Sequence, residues 1–199
     1  MNSTAVIKLV VLLALTGALL WASRRSLRQP GTHGFYRFFA FEAIAALCVL
    51  VVDFTWFDDF FSVRKLVSLI LLLLSVYLVV EAVVLLHRVG KPKSPGEPRE
   101  AVPATATAQE DLYDFEQTTH LVTTGLYRYI RHPMYSSLLC LAWGLAVREP
   151  SYLGFGLAIV ATVFIYATAR ADVREDIARF GDAYVEYLKT TKRFIPFAW

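Results

Sequence analysis

Charge is scarce in this sequence of 199 residues, in which charged residues account for 19% and apolar residues for 56%. A soluble domain of this length carries more charge and interrupts its apolar runs more often. Here the apolar residues collect in long blocks, which is typical of helices that cross a membrane. The net charge is only +3, and no basic arm or groove-binding helix accompanies it. The composition therefore predicts an integral membrane protein and argues against a nucleic-acid partner.

Cysteine and histidine are also too few and too scattered for several kinds of site. The cysteines, Cys48 and Cys140, are far apart and both lie in apolar blocks, so we expect neither a disulfide framework nor a thiolate metal site. Three of the histidines, His33, His87 and His120, are too dispersed to form a metal site. A heme-carrying membrane subunit would need paired histidines within its spans, and the apolar blocks contain none.

Five apolar blocks predict an all-α, polytopic membrane protein with about five transmembrane helices. The blocks cover residues 5–22, 36–57, 63–86, 134–147 and 152–168. The first predicts a retained helix, because no clear cleavage site for a signal peptide follows it. The fourth would extend roughly 20 Å, less than the roughly 30 Å hydrocarbon core. Because Pro150 lies just after it, we expect the last two helices to form a tight hairpin.

The basic residues predict the orientation of these helices in the membrane. They concentrate in the first loop, in the third loop and in the tail after residue 169, whereas the second loop begins with acidic residues. The pattern predicts an N-terminus outside and a C-terminus in the cytosol. It places residues 109–135 and 170–199, the two richest polar segments, on the same cytosolic side.

The predicted organisation has three parts. Residues 1–89 would form three transmembrane helices, and residues 90–117 a flexible cytosolic linker rich in Pro, Gly, Ala and Thr. Residues 118–199 would form a loop, the helical hairpin and a C-terminal tail. The sequence contains no internal repeat of the kind found in many transporters.

The best-marked chemical segment runs from Gly125 to Tyr135 and reads GLYRYIRHPMY. Pro133 suits the first turn of a helix, where its missing N–H costs nothing, and it keeps His132 extended. The helix start would favour an anionic group, and Gly125 would allow the backbone to approach a ligand closely. Together with Tyr127 and Tyr129, these residues suit either a ligand site or simple anchoring at the membrane surface.

A second segment supplies the other half of a family signature. It reads RFGDAYVEY over residues 179–187 and KRFIP over residues 192–196. With the RHPxY stretch, it resembles the isoprenylcysteine carboxyl methyltransferase family, which includes phospholipid N-methyltransferases. The resemblance covers residues 118–197, with both halves in the family's order and at its separation.

The resemblance implies S-adenosylmethionine as the methyl donor. It implies that the donor is held by Leu121, Val122, Gly125, Tyr127, His132, Pro133, Tyr135, Tyr184, Tyr187 and Arg193. The acceptor would be lipid-like and embedded in the bilayer, either a prenylcysteine-type carboxylate or a phospholipid amine. The enzyme would lie in a membrane, with a prokaryotic inner membrane favoured by the compact architecture, and its site would face the cytosol.

The acidic residues depart from the family pattern, which usually has two adjacent glutamates before the Phe-Gly pair. The corresponding positions hold Asp172 and Val173, and Glu175 follows three residues after Asp172. Either Asp172 alone or Glu175, one turn further along the helix, is expected to be the catalytic acid or base. Arg170 is the candidate for holding an anionic acceptor, with snorkelling at a helix end as the alternative.

Two glutamates lie inside apolar blocks, where charge is costly and tends to face a cavity or a partner. Glu42 and Glu81 are therefore candidates for binding the acceptor, and hydrogen bonding between helices is the equal alternative. Because the acidic positions are altered, two alternatives stay open: the protein is a family member that has lost catalysis, or it is a non-enzymatic membrane subunit.

Overall fold

A computed structural model describes residues 3–51, 62–89 and 121–196 of the protein. These residues form six α-helices and no β-strand, which confirms the predicted all-α class. The helices are α1 (Ser3–Ser23), α2 (His33–Val51), α3 (Val63–Val89), α4 (Pro133–Arg148), α5 (Tyr152–Phe180) and α6 (Asp182–Thr190). The predicted linker at 90–117 and the acidic start of the second loop lie outside the described residues.

Four helices are long and apolar enough to cross a membrane, namely α1, α2, α3 and α5. They confirm a polytopic membrane protein. Helix α4 has 16 residues, which is short of the roughly 20 that a full span needs. Helix α5 continues well beyond its apolar block at 152–168 and ends only at Phe180, before Gly181 with φ of 58°. The polar residues after 168 remain helical because no proline or glycine interrupts them.

The chain divides into two compact units, the first formed by residues 1–75 and 138–168. Its interior combines large side chains such as Leu47 and Ile165 with small ones, among which Ala142, Ala146, Ala158 and Ala161 are fully buried. Small residues let helix backbones approach closely, which is how helices associate in membranes. Within this unit the indole Nε1 of Trp143 donates to Thr162 Oγ1 at 3.1 Å, joining α4 to α5 as the predicted hairpin requires.

Helix α1 of the first unit buries none of its residues. Its polar side chains contact α2: Lys8 Nζ donates to the carbonyl of Leu50 at 3.1 Å, and Thr16 Oγ1 donates to Glu42 Oε1. Most large apolar residues of α1 are exposed, as expected of a helix whose surface faces lipid. Its polar contacts to α2 are therefore few but specific.

The second unit comprises residues 76–137 and 169–199. A small apolar cluster forms its centre, with Ala82, Val122 and Tyr127 buried in contact. Gly125 has a φ of 59°, and a Cβ atom there would lie 2.6 Å from Leu85 Cδ1. The glycine is thus required by its backbone conformation and by packing against α3.

Candidate functional site

The loop before α4 and the tail after α6 pair through their backbones in the second unit. Ile130 and Lys192 form an isolated parallel bridge. The N–H of Arg131 donates to the carbonyl of Lys192 at 2.8 Å, and the N–H of His132 donates to that of Arg193 at 3.2 Å. The two polar segments that the orientation argument places on one side thus lie in direct contact.

The side chain of Arg131 fastens the C-terminal end of α6 to the same loop. Its guanidinium donates to the carbonyl of Leu188 at 3.2 Å, to the carbonyl of Thr191 and to Thr191 Oγ1 at 3.3 Å. A cation at this end of a helix satisfies carbonyls that the helix leaves unpaired and matches its dipole. Burial lowers the pKa of Arg131, while the phenol of Tyr184 acts in the opposite direction.

Two tyrosines of α6 point into the unit and are both buried. The hydroxyl of Tyr187 donates to the carbonyl of Tyr127 at 2.5 Å, and that of Tyr184 donates to the carboxylate of Asp176. Burial raises the pKa of both phenols, and the carboxylates of Asp176 and Asp172 raise that of Tyr184 further. Both side chains therefore remain neutral hydrogen-bond donors that hold α6 in place.

His132 lies at the point where loop, tail and α5 meet. Its Nδ1 is 3.3 Å from Asp172 Oδ2, and 5% of its side chain is exposed against 25% for Asp172. The imidazole stacks on Tyr135 with ring centroids 5.3 Å apart and an interplanar angle of 26°. Phe194 of the tail lies 6.3 Å away, centroid to centroid. The contact with Asp172 and the aromatic stacking thus fix both the position and the tilt of the ring.

The other ring nitrogen of His132 is buried and has no hydrogen-bond partner among the described residues. When a carboxylate accepts the proton of Nδ1, the neutral imidazole leaves its Nε2 lone pair available as an acceptor. A buried polar atom without a partner costs about 1–3 kcal/mol. A bound molecule that donates a proton to Nε2 would remove this cost.

Ser136 links the beginning of α4 to the tail beside this ring. Its hydroxyl donates to the carbonyl of Phe194 at 2.7 Å. Pro133, completely buried, is the first residue of α4, as its position in the sequence predicts. The motif around His132 is therefore held by backbone pairing on one side and by this serine on the other.

Two acidic side chains of α5, Asp172 and Asp176, contact these residues and lie one turn apart on one helix face. Sequence reasoning chose Glu175 as the alternative to Asp172 and did not name Asp176 as a candidate. The spacing of Asp172 and Asp176 could have indicated this residue, because residues four apart lie closer to the same helix face than residues three apart. Glu175 is half-buried, and Arg170 is exposed.

The remaining candidate residues divide between the units. Val122 is buried against Tyr127, and Leu121 is half-buried beside it. Glu81 also belongs to the second unit and is half-buried on α3, whereas Glu42 belongs to the first and pairs with Thr16. The second unit thus contains every residue expected to hold the donor, together with Asp172, Glu175 and Arg170.

Comparison with known proteins finds similarity over the part of the chain that carries His132 and Asp172. The phospholipid methyltransferase family matches residues 99–175, which include both His132 and Asp172. Methanethiol S-methyltransferase 1 of Bradyrhizobium diazoefficiens is 31% identical over 97 residues, covering 43% of this chain and 33% of that protein. Methanethiol S-methyltransferase of Crocosphaera subtropica is 28% identical over 75 residues, covering 38% and 29%.

The matched region spans about a third of the length of these curated relatives. No solved structure matches the chain significantly. The matched segment includes the RHPxY stretch and the part of α5 that carries Asp172 and Glu175, and it ends one residue before Asp176. These matches confirm the predicted resemblance: residues 99–175 are similar to the phospholipid methyltransferase family, and part of the chain is similar to two methanethiol S-methyltransferases.

Proposed function

We propose that the protein is an S-adenosylmethionine-dependent methyltransferase whose site is built around His132 and Asp172. The observation that carries the proposal is the buried Nε2 of His132, held beside a carboxylate within the family-matched segment. A buried acceptor that the protein itself leaves unused is suited to a bound molecule.

The residues present fit the donor in charge and in hydrogen-bonding character. S-adenosylmethionine is a sulfonium cation, and carboxylates and aromatic faces stabilise cations. The second unit offers the carboxylate of Asp172 and the ring of Tyr135 beside His132, and the carboxylate of Asp176 beside Tyr184. When bound, this donor supplies an electrophilic methyl group.

The donor would be held by the residues that the family resemblance indicates. Apart from His132, which lies at the centre of the site, these are Leu121, Val122, Gly125, Tyr127, Pro133, Tyr135, Tyr184, Tyr187 and Arg193. Several of these residues would act indirectly, by holding the surrounding structure in place. Tyr187 fixes the loop at Tyr127, and Gly125 packs on Leu85. Their contribution to rate would come from positioning the reactants and excluding water.

The proposed acceptor is a hydrophobic molecule that reaches the site from the bilayer. A prenylcysteine carboxylate and a phospholipid amine follow from the family resemblance, and a thiol follows from the names of the two relatives. Of these we favour a thiol, because both curated relatives are methanethiol S-methyltransferases. Glu81 and Arg170 are the proposed acceptor-side charges in the second unit.

The proposed location of the site is the cytosolic face of a prokaryotic inner membrane. The basic residues Arg128 and Arg131 before α4, and those of the tail, support this orientation. Labelling of single cysteines introduced at Lys189 and Ser151 from either side of sealed vesicles tests it. Labelling of position 189 from the outside would overturn the orientation.

Calorimetric titration of the detergent-purified protein with S-adenosylhomocysteine tests donor binding. We expect binding by the wild type and a loss of at least about tenfold in Arg131→Ala, in which the loop and α6 are no longer fastened. Lys189→Ala, which removes only an exposed ion pair with Glu186, should bind like the wild type. Absence of binding by the wild type would overturn the proposal.

Transfer of a labelled methyl group is then measured with an alkanethiol, a prenylcysteine analogue and phosphatidylethanolamine in lipid nanodiscs. Transfer to at least one acceptor is expected. Binding of S-adenosylhomocysteine without transfer to any of them would favour the alternative reading, a family member whose catalysis was lost with the glutamate pair.

A further inference from the structure

We infer that His132 is the catalytic base that takes a proton from a thiol acceptor, and that Asp172 positions it. This inference rests on the proposed methyl transfer and names the acceptor chemistry. It also exchanges the expected roles, because the family resemblance assigns His132 to the donor and Asp172 to catalysis. Three features of the second unit support it: orientation, burial and a vacant acceptor atom.

The orientation of His132 is the arrangement that a base requires. Asp172 Oδ2 lies 3.3 Å from Nδ1, so the carboxylate retains the ring proton on that nitrogen. The lone pair is then on Nε2, at the opposite edge of the ring. Stacking on Tyr135 holds the plane of the ring, and the contact with Asp172 keeps Nδ1 on that side.

Burial makes the pair selective for a neutral donor of a proton. His132 is 6% exposed and Nε2 has no protein partner among the residues described. A carboxylate acceptor has no proton to offer to this atom and would meet the charge of Asp172 nearby. A thiol carries the needed proton and, being weakly hydrated, loses little when it leaves water.

The proposed step balances in atoms and charge. The S–H bond breaks and its proton passes to Nε2 of His132, which becomes an imidazolium stabilised by Asp172. The electron pair left on the thiol sulfur forms the new S–C bond. The bond between the methyl carbon and the sulfonium sulfur breaks with its electrons remaining on that sulfur, so both products are neutral thioethers. The imidazolium then returns its proton to water.

Two thiol acceptors that differ in pKa can distinguish a catalytic base from a residue that holds the donor. One is a small alkanethiol whose pKa lies well above the assay pH, and the other an aromatic thiol that is already ionised. In His132→Gln we expect turnover with the alkanethiol to fall at least about 100-fold. Turnover with the ionised thiol should fall less than about tenfold, because that acceptor needs no base. Equal losses with both thiols would overturn the inference.

Asp172→Asn provides the matched test of positioning. The asparagine amide can donate to Nδ1, which leaves the proton on Nε2 and removes the base without removing the imidazole. Nitrogen-15 spectra of histidine-labelled protein should show an Nδ1–H tautomer for His132 in the wild type and an Nε2–H tautomer in Asp172→Asn. The same split between the two thiols is expected. A tautomer that does not change would contradict the role of Asp172.

Binding of S-adenosylhomocysteine distinguishes failure of the inference from failure of the proposed function. His132→Gln should bind it within about threefold of the wild type, because a base for the acceptor contributes little to donor affinity. Loss of binding in this variant alone would return His132 to the donor site. Loss in the wild type as well would overturn the proposed function. Transfer to phosphatidylethanolamine but not to either thiol would overturn the thiol assignment.

Discussion

Two partly buried polar pairs, one in each unit, can be compared. In the first unit Glu42 accepts from Thr16, and its Oε2 is buried without a partner among the described residues. In the second unit His132 pairs with Asp172, and Nε2 of His132 is likewise buried without a partner among the described residues. Each pair therefore has one satisfied atom and one buried atom that is available.

The pairs differ in how firmly their surroundings hold them. Glu42 joins its helix to α1, whose residues are all at least partly exposed. His132 is fixed by Asp172, by stacking on Tyr135 and by a backbone bond to Arg193. A buried polar atom becomes useful for chemistry when its direction is fixed, since small errors in position cost large factors in rate. By that criterion we propose the second pair, and not the first, as the site.

The largest expected difference comes from replacing one residue of each pair, His132 or Glu42, with glutamine. With an alkanethiol acceptor, His132→Gln should reduce kcat/KM at least about 100-fold, because the proton has no acceptor. Glu42→Gln should change it less than about threefold, since the amide oxygen can still accept from Thr16. Steady-state assays in the same nanodiscs measure both. Comparable losses would mean that Glu42 also belongs to the catalytic machinery.

A smaller effect is expected from the fastening of α6. Arg131→Met removes three hydrogen bonds from a charged donor and leaves carbonyls of Leu188 and Thr191 unpaired. We expect a loss of about 2–3 kcal/mol in the free energy of unfolding. Unfolding by sodium dodecyl sulfate in mixed micelles measures it. Retention of full stability would show that the backbone bridge alone holds the tail.

Single hydroxyl deletions should cost less and sharpen the contrast between the units. Tyr187→Phe removes the bond to the carbonyl of Tyr127 and should cost about 1 kcal/mol. Thr16→Val, in the membrane-spanning part of α1, should cost about 0.6 kcal/mol, the typical value between membrane helices. The same unfolding assay compares the two. A larger cost for Thr16→Val would show that α1 is held more firmly than its exposure indicates.

The smallest effect is expected at the exposed pair of Lys189 and Glu186, whose side chains are 65% and 70% exposed. Lys189→Ala should change the free energy of unfolding by less than about 0.5 kcal/mol, because water screens such pairs. The variant therefore serves as the control for the other substitutions. A greater loss would point to an additional role of Lys189 in holding the tail.

The fold was largely predictable from hydropathy, because long apolar blocks have few alternatives to membrane helices. The first block at 5–22 matches α1 at Ser3–Ser23, and the short fourth block matches α4. The length of α5 was underestimated because its last turns are polar and hydropathy does not register them. Helix α6 was not predicted as a separate element, since it is short and begins after the backbone turn at Gly181.

The site was only partly predictable. The sequence order of its two halves indicated that loop and tail belong together, and they do meet at Ile130 and Lys192. The partners of individual side chains could not be read from order alone, because they depend on the register of α5 against the loop. That register brings Asp172 to His132 and Asp176 to Tyr184. Motif matching also gave Arg131 no role, although it fastens α6.

The parallel bridge between loop and tail has a consequence for how the protein folds. Its neighbouring contact from Tyr187 to Tyr127 joins positions 60 residues apart, with α4 and α5 lying between them in sequence. Closing so long a loop is slow compared with forming the hairpin that it encloses. We therefore expect helix insertion to precede assembly of the site. Mild denaturation should reverse the order, exposing the amides of Arg131 and His132 to hydrogen exchange while the membrane helices remain protected.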